Sequence, residues 1–235
     1  MKGCQYDSRF LRRHLNPHVY AIQESNDINR NQLKFFGNGL SESERNEARL
    51  QLEGLLDTLT DAKEYGSILN VEHYNWALLR SCANAAGEDA QLSMDSFGLA
   101  DTVDQLKQLI DIGEALGQKY DIVVTNPPYM GNGSFNSRLA KYVKDNYNNG
   151  RNDLFAIFIV RNMQFARENG IIAMITQHQW MFLSSYIEVR KRILTTNILN
   201  VAHLGPRAFG EISGEVVQSV AFTFRKCNVG SYRSM

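Results

Sequence analysis

Asn126-Pro127-Pro128-Tyr129 follows the apolar run Ile122-Val123-Val124, with Tyr120, Asp121 and Thr125 flanking the run. The run reads as a strand buried on both faces in a parallel sheet. It must stop at the prolines, because neither has an N–H to give to a ladder. Pro128 also holds Pro127 extended. The side-chain oxygen of Asn126 and the carbonyl of Pro127 are then fixed just past the strand's C-terminal end. Open α/β sheets place their ligand chemistry there. Both groups are uncharged acceptors, and Tyr129 sets an aromatic face beside them. The alternative is a tandem-proline turn that ends a strand and does no chemistry.

This tetrapeptide after an apolar strand resembles motif IV of the amino-methyltransferases, the S-adenosylmethionine enzymes that methylate N6 of adenine in DNA. The resemblance gives the residues their roles. An exocyclic amine is a poor nucleophile, because its lone pair is delocalised into the ring. Asn126 and Pro127 would each accept one N6–H and turn that lone pair towards the donated methyl group. The missing N–H groups of Pro127 and Pro128 remove competing donors. Tyr129 would stack on a base rotated out of the duplex.

Asp153-Leu154-Phe155 is similar to the family motif that lines the methyl-donor and base pockets, so Asp153 and Phe155 are expected at the cofactor. Asp153 would also cap the helix that follows, and both roles can hold together. Gln177-His178-Gln179-Trp180 stands at the motif VI position. Phe209, before a late β run, resembles motif VIII and would be the second wall of a base sandwich with Tyr129; otherwise it is a packing anchor. Arg138, Lys141 and Lys144 form the nearest basic cluster, set to contact DNA phosphates or simply to face solvent.

The resemblance covers most of the chain, strongly from Tyr120 onward. It is closest to large bacterial adenine methyltransferases of phage-defence and type II restriction-modification systems. It implies a site-specific DNA adenine methyltransferase in the bacterial cytoplasm, with double-stranded DNA and further enzyme or defence-system subunits as partners. S-adenosylmethionine is the implied donor. Two other readings stay open: a protein-glutamine N5 methyltransferase using the same tetrapeptide, and a non-catalytic remnant acting as an interaction subunit.

The 235 residues suit one α/β domain or a large part of one, and the 43% apolar fraction is enough for a sizeable core. Lys+Arg and Asp+Glu both number 25, so net charge gives no global signal for nucleic acid. Cys4, Cys82 and Cys227 are widely spaced and form no metal pattern, which suggests a reducing compartment. No apolar run is long enough to span a membrane, and no leader is recognisable.

The expected fold is a partial Rossmann-like S-adenosylmethionine-dependent methyltransferase: α/β, a mostly parallel sheet with a late antiparallel strand, and a helical insertion. The insertion is expected over 28–118 and the motif IV to motif VIII core over 119–226, with 1–235 forming part of one catalytic domain. Val19 to Ile22 reads as a short strand. The capping box Ser41-x-x-Glu44 opens a helix to Lys63. Val71 to Ala86 reads as a second helix, with Trp76 in its core face. Thr102-x-x-Gln105 opens a third, ending near Gly117. Ser137 to Asn146 and Asp153 to Arg167 are helical, the latter very apolar and closed by Asn169-Gly170. Strands follow at Ile171–Thr176, Leu199–Leu204 and Val216–Phe224, with a helix over Ser185–Thr195.

The family's Gly-rich motif I and acidic motif II, which hold the donor, are not found before Asn126. Gly37-Asn38-Gly39 has no apolar strand leading into it. The chain therefore reads as the middle of such an enzyme, with the main donor loop absent. Strand Ile122–Thr125 is expected to pair on one side only.

Overall fold

The computed structural model describes residues 17–89, 98–148, 150–205 and 218–227. The basic stretch Tyr6–His14, which reads from its sequence as the end of a helix, and Phe209 lie outside them. The described part has two layers: a helical layer from the first half of the chain, and a four-stranded sheet with its helices from the second.

Helix α1 (Glu42–Thr58) starts at the expected capping box: the Ser41 hydroxyl accepts from the Glu44 N–H, and the Glu44 carboxylate accepts from the Ser41 N–H. The chain then breaks at Asp61, a non-glycine residue at φ 53°, before the single turn α2 (Ala62–Tyr65). One helix to Lys63 was expected, so the break is a correction. The left-handed residue is held by Asn26, whose side chain accepts from the Asp61 N–H and donates to its carboxylate.

Helix α3 (Trp76–Asp89) begins five residues later than Val71. Helix α4 (Leu99–Gly117) begins earlier than Thr102. The Thr102 hydroxyl does not cap it but donates to the Gln32 side chain across the layer. Leu52, Leu55, Leu56, Leu79, Trp76, Leu106, Leu109 and Ile110 make one core between these helices. Val19–Ile22 forms no ladder, and Val19 is exposed, so the strand expected there is absent.

Strand β1 (Tyr120–Thr125) follows at once. Helix α5 (Ser137–Asn146) and helix α6 (Leu154–Phe165) lead to β2 (Ala166–Gln177). Helix α7 (Ile187–Leu194), β3 (Asn197–Gly205) and β4 (Ser219–Arg225) complete the described chain. The strand order is β1-β2-β4-β3, with β1 and β2 parallel and β4 antiparallel to both of its neighbours. Three strands thus share one direction and the late strand β4 alone opposes them. This is the α/β sheet with a late antiparallel strand that was expected.

Asn169-Gly170 does not close α6, which ends at Phe165. The pair lies inside β2, where the register against β1 slips between Tyr120 and Ile122. Asn169 takes φ 62°, and the Asn169 and Lys226 N–H groups bond the Lys226 and Gly170 carbonyls. A Cβ on Gly170 would meet the Arg167 carbonyl oxygen at 2.9 Å and those of Asp121 and Tyr120 at 3.1 Å, so only glycine lets β1 approach.

Helix α6 is apolar all round because it is covered on two sides. Phe155 and Ile159 join Ile172, Met174, Phe222 and Phe224 on one face of the sheet. Leu154, Ile157 and Val160 join Ile68, Leu139 and Val143 towards the helical layer.

The other face of β1 is open: Ile122 is 61% exposed and Val124 74%. Burial of this strand on both faces was expected, and the sheet corrects it. Among the described residues β1 pairs with β2 alone, so it ends the row, as the expected one-sided pairing requires.

Candidate active site

The corner Asn126–Tyr129 leaves β1 at its C-terminal end and is braced at several points. The Asn162 side chain, almost wholly buried on α6, donates to the Thr125 hydroxyl at 3.0 Å and holds the strand's last residue. Pro127 is buried and Asn126 and Pro128 are exposed. Past Tyr129, the Leu154 N–H donates to the Met130 carbonyl at 2.9 Å, and the Asn132 N–H to the Asn152 carbonyl at 3.0 Å. The tetrapeptide is therefore strapped to the start of α6, and Asn126 is left at the rim, its amide bonded to no side chain or backbone group among the described residues.

Asp153 sits at that strap. It is the N-cap of α6, its carboxylate accepting from the Phe155 N–H at 3.1 Å, and it is only 8% exposed. Burial pushes its pKa up; hydrogen bonds from the backbone at Phe155, Met130 and Leu154 oppose that. Phe155 is wholly buried, edge-on to Tyr129 at 6.3 Å between centroids and against Tyr186 at 5.5 Å. It lies behind the Tyr129 ring rather than at the pocket surface.

Tyr129 is half-buried, and its hydroxyl is enclosed without a good hydrogen-bond partner, as is the hydroxyl of Ser219 at the start of β4. The two lie close enough that Ser219 eases the Tyr129 ionisation. Burial nonetheless raises the Tyr129 pKa, and the Asp153 charge adds to that. Tyr186 is pushed up to about 12 by burial, again with the Asp153 charge behind it. These phenols stay neutral near pH 7.

At the neighbouring strand end, Trp180 is buried and donates from Nε1 to the Thr176 hydroxyl at 3.1 Å. His178 bonds the Gln218 carbonyl through Nδ1 at 2.9 Å. The motif VI stretch is thus tied to β4 beside Ser219. Arg138, Lys141 and Lys144 are all exposed on α5, and Arg138 pairs with Asp61 of the helical layer at 2.9 Å.

Sequence reasoning missed Ser219, Tyr186 and Arg161. Nothing in the sequence around Ser219 marks it. Arg161 could have been noticed as the one charge in the apolar helix Leu154–Phe165.

For a sulfonium methyl donor, the described residues offer a wall but no cradle. A shallow apolar depression of about 430 Å³ runs over the open sheet face and reaches Thr125 and Asn126. A second gap, about 340 Å³, lies between β1 and α4, lined by Tyr20, Ile22, Ile112, Leu116 and Tyr120 among others. Neither holds a turn of consecutive glycine N–H groups for the donor's charged end. No group of acids, histidines or cysteines among the described residues is placed to hold a metal ion, and no described helix is long and apolar enough to cross a membrane.

The chain is 39% identical over 231 residues to the adenine-specific methyltransferase PglX of Lacticaseibacillus casei (strain Zhang), covering 96% of this chain and 18% of that protein. It is 32% identical over 252 residues to the adenine-specific methyltransferase BrxX of Escherichia coli O9:H4 (strain HS), covering 99% of this chain and 21% of that protein. The chain thus spans about a fifth of the length of these relatives.

Among solved structures, a nuclease-deletion mutant of the Type ISP restriction-modification enzyme LlaGI in complex with a DNA substrate mimic matches at TM-score 0.38 and 19% identity. That match covers 55% of this chain and 13% of that one. The strand order, not this distant likeness, carries the fold. Residues 29–209 match the Eco57I restriction-modification methylase family, and the chain belongs to that family.

Proposed function

We propose that this chain forms the target-base side of a site-specific N6-adenine DNA methyltransferase of a restriction-modification or phage-defence system. The observation that carries the reading is the braced corner: an exposed neutral amide at the C-terminal end of a parallel strand, with an aromatic ring behind it. The names of the relatives support it.

In this reading the Asn126 side-chain oxygen and the Pro127 carbonyl each accept one N6–H. The lone pair then leaves conjugation with the ring and localises on N6. As charge develops on nitrogen, fixed acceptors of this kind stabilise the transition state without reorganising. Tyr129 offers its ring to the base, and Phe155 and the strap at Asp153 keep that ring in place. S-adenosylmethionine, when bound, supplies the methyl group. The donor's cradle and the neighbour of β1 would come from sequence beyond this stretch, in keeping with relatives about five times its length. Arg138, Lys141 and Lys144 remain candidates for phosphate contacts, and Phe209 for the second wall.

The test is product analysis. A methylation-competent protein carrying this chain, given double-stranded DNA and labelled donor, is expected to yield N6-methyladenine in DNA by mass spectrometry. Label found on a protein glutamine instead, or on no product, would overturn the reading.

A further inference from the structure

On the same edge of the sheet as Asn126, the chain shows apolar side chains that the proposed chemistry does not use. The short turn His178–Met181 after β2 is followed by Phe182 and Leu183, 65% and 48% exposed. This tip is held firmly. The Phe182 and Leu183 N–H groups both donate to the Gln179 carbonyl, at 3.1 and 3.0 Å. The Arg190 guanidinium donates to the Trp180 and Leu183 carbonyls at 2.7 and 2.6 Å, clamping the loop from α7. His178, itself tied to β4 beside Ser219, meets the Phe182 ring at 5.6 Å. An aromatic side chain is thus presented outward on a rigid support.

Its surroundings favour a polyanion. Asn152, next to Arg151, donates to the Ser185 carbonyl at 3.1 Å, which brings that exposed arginine to the loop. Arg151 has no acidic partner among the described residues, and the Arg190 guanidinium lies against the loop from α7. Apolar tips flanked by cations are what proteins insert between base steps of a duplex.

We infer that Phe182 is a wedge that enters the base stack when the target adenine leaves it, with Leu183 beside it and Arg151 on a flanking phosphate. The inference rests on the adenine reading of the site. A base held at Asn126 must first leave the duplex, which costs unstacking and unpairing. A side chain filling the gap lowers that cost. It matters less for a base opposite an abasic site, which has no pair to break and leaves the stack at lower cost.

That difference is the test. In a methylation-competent protein carrying this chain, the methylated adenine is first mapped by sequencing. Duplexes are then made with 2-aminopurine or adenine at that position, either paired normally or opposite an abasic site. For Phe182→Ala we expect most of the 2-aminopurine fluorescence rise to be lost, and methylation of the paired target to fall about tenfold, because insertion offsets part of the extrusion cost. On the abasic-opposed target the loss should be far smaller, within about twofold of wild type, since a base without a partner costs less to extrude. Phe182→Leu, which keeps an apolar wedge, should stay near wild type on both.

Equal loss on both duplexes would overturn the wedge in favour of a simple contact. No loss on either would overturn it in favour of a protein-contact surface. If the wild type methylates no adenine, the adenine reading itself fails and the wedge falls with it.

Discussion

Tyr129 is pulled two ways: its ring is needed at the pocket, while its hydroxyl is enclosed beside Ser219 without a good partner. Tyr129→Ala should weaken binding of an extruded target by about 1–3 kcal/mol, the usual worth of one base–aromatic stack. Titration with an abasic-opposed duplex measures this, and unchanged affinity would remove Tyr129 from the pocket wall. Asp153 makes a pH prediction. Burial raises its folded-state pKa above the ordinary carboxylate value, so the folded protein holds a proton there that the unfolded chain releases. Its contribution is therefore most favourable at acid pH and declines as pH rises through the window between the ordinary and the raised value. Asp153→Asn keeps an acceptor for the Phe155 N–H and removes the charge. The stability difference, variant minus wild type, should grow in the variant's favour as pH climbs through that window. Denaturant melts at several pH values would show it, and a difference that shrinks with rising pH would contradict it. Asn126-Pro127-Pro128-Tyr129 was legible because two prolines after an apolar strand leave the chain few conformations. Ser219 was not, because its neighbourhood to Tyr129 arises only when β4 slots in beside β2.

Helix α6 joins the site to the helical layer, and Arg161 is the joint. It is 4% exposed and donates to the backbone carbonyls of Ser67, Leu69 and Leu116 at 3.0, 2.7 and 2.9 Å and to the Asn70 side chain at 2.9 Å. Its guanidinium stacks on Phe165 at 3.8 Å. Arg161→Ala would take this donor from the buried Leu69 and Leu116 carbonyls and from the half-buried Ser67 carbonyl. At about 1–3 kcal/mol each, the loss should exceed about 3 kcal/mol. Chemical denaturation measures it, and a loss below about 1 kcal/mol would mean that water replaces the guanidinium. Legibility at this scale follows local against long-range cause. The capping box at Ser41 and the apolar run of β1 were readable because each signal lies within a few residues. The break at Asp61 and the bulge at Asn169-Gly170 were not, because Asn26 and the Lys226 backbone, far along the chain, hold them.

Taken whole, the molecule presents half of a binding edge. β1 ends the described sheet, its open face carries Ile122 and Val124, and the gap beside it is lined by apolar groups. Free apolar edges of this kind template association. Residues 1–235 alone should therefore self-associate in sedimentation velocity as concentration rises, and Val124→Lys should suppress this with a stability change within about 0.5 kcal/mol, as for an exposed position. A chain that stays monomeric at high concentration would mean that the edge is closed in another way. Acceptor geometry at Asn126 remains the central claim, and one kinetic comparison bears on it most directly. In a methylation-competent protein carrying this chain, single-turnover methyl transfer to adenine is measured for wild type and Asn126→Ala, with DNA and donor affinities determined alongside. The account predicts a rate lower by about 10²–10³ with both affinities nearly unchanged, the cost of removing one preorganised acceptor. A rate near wild type would contradict it.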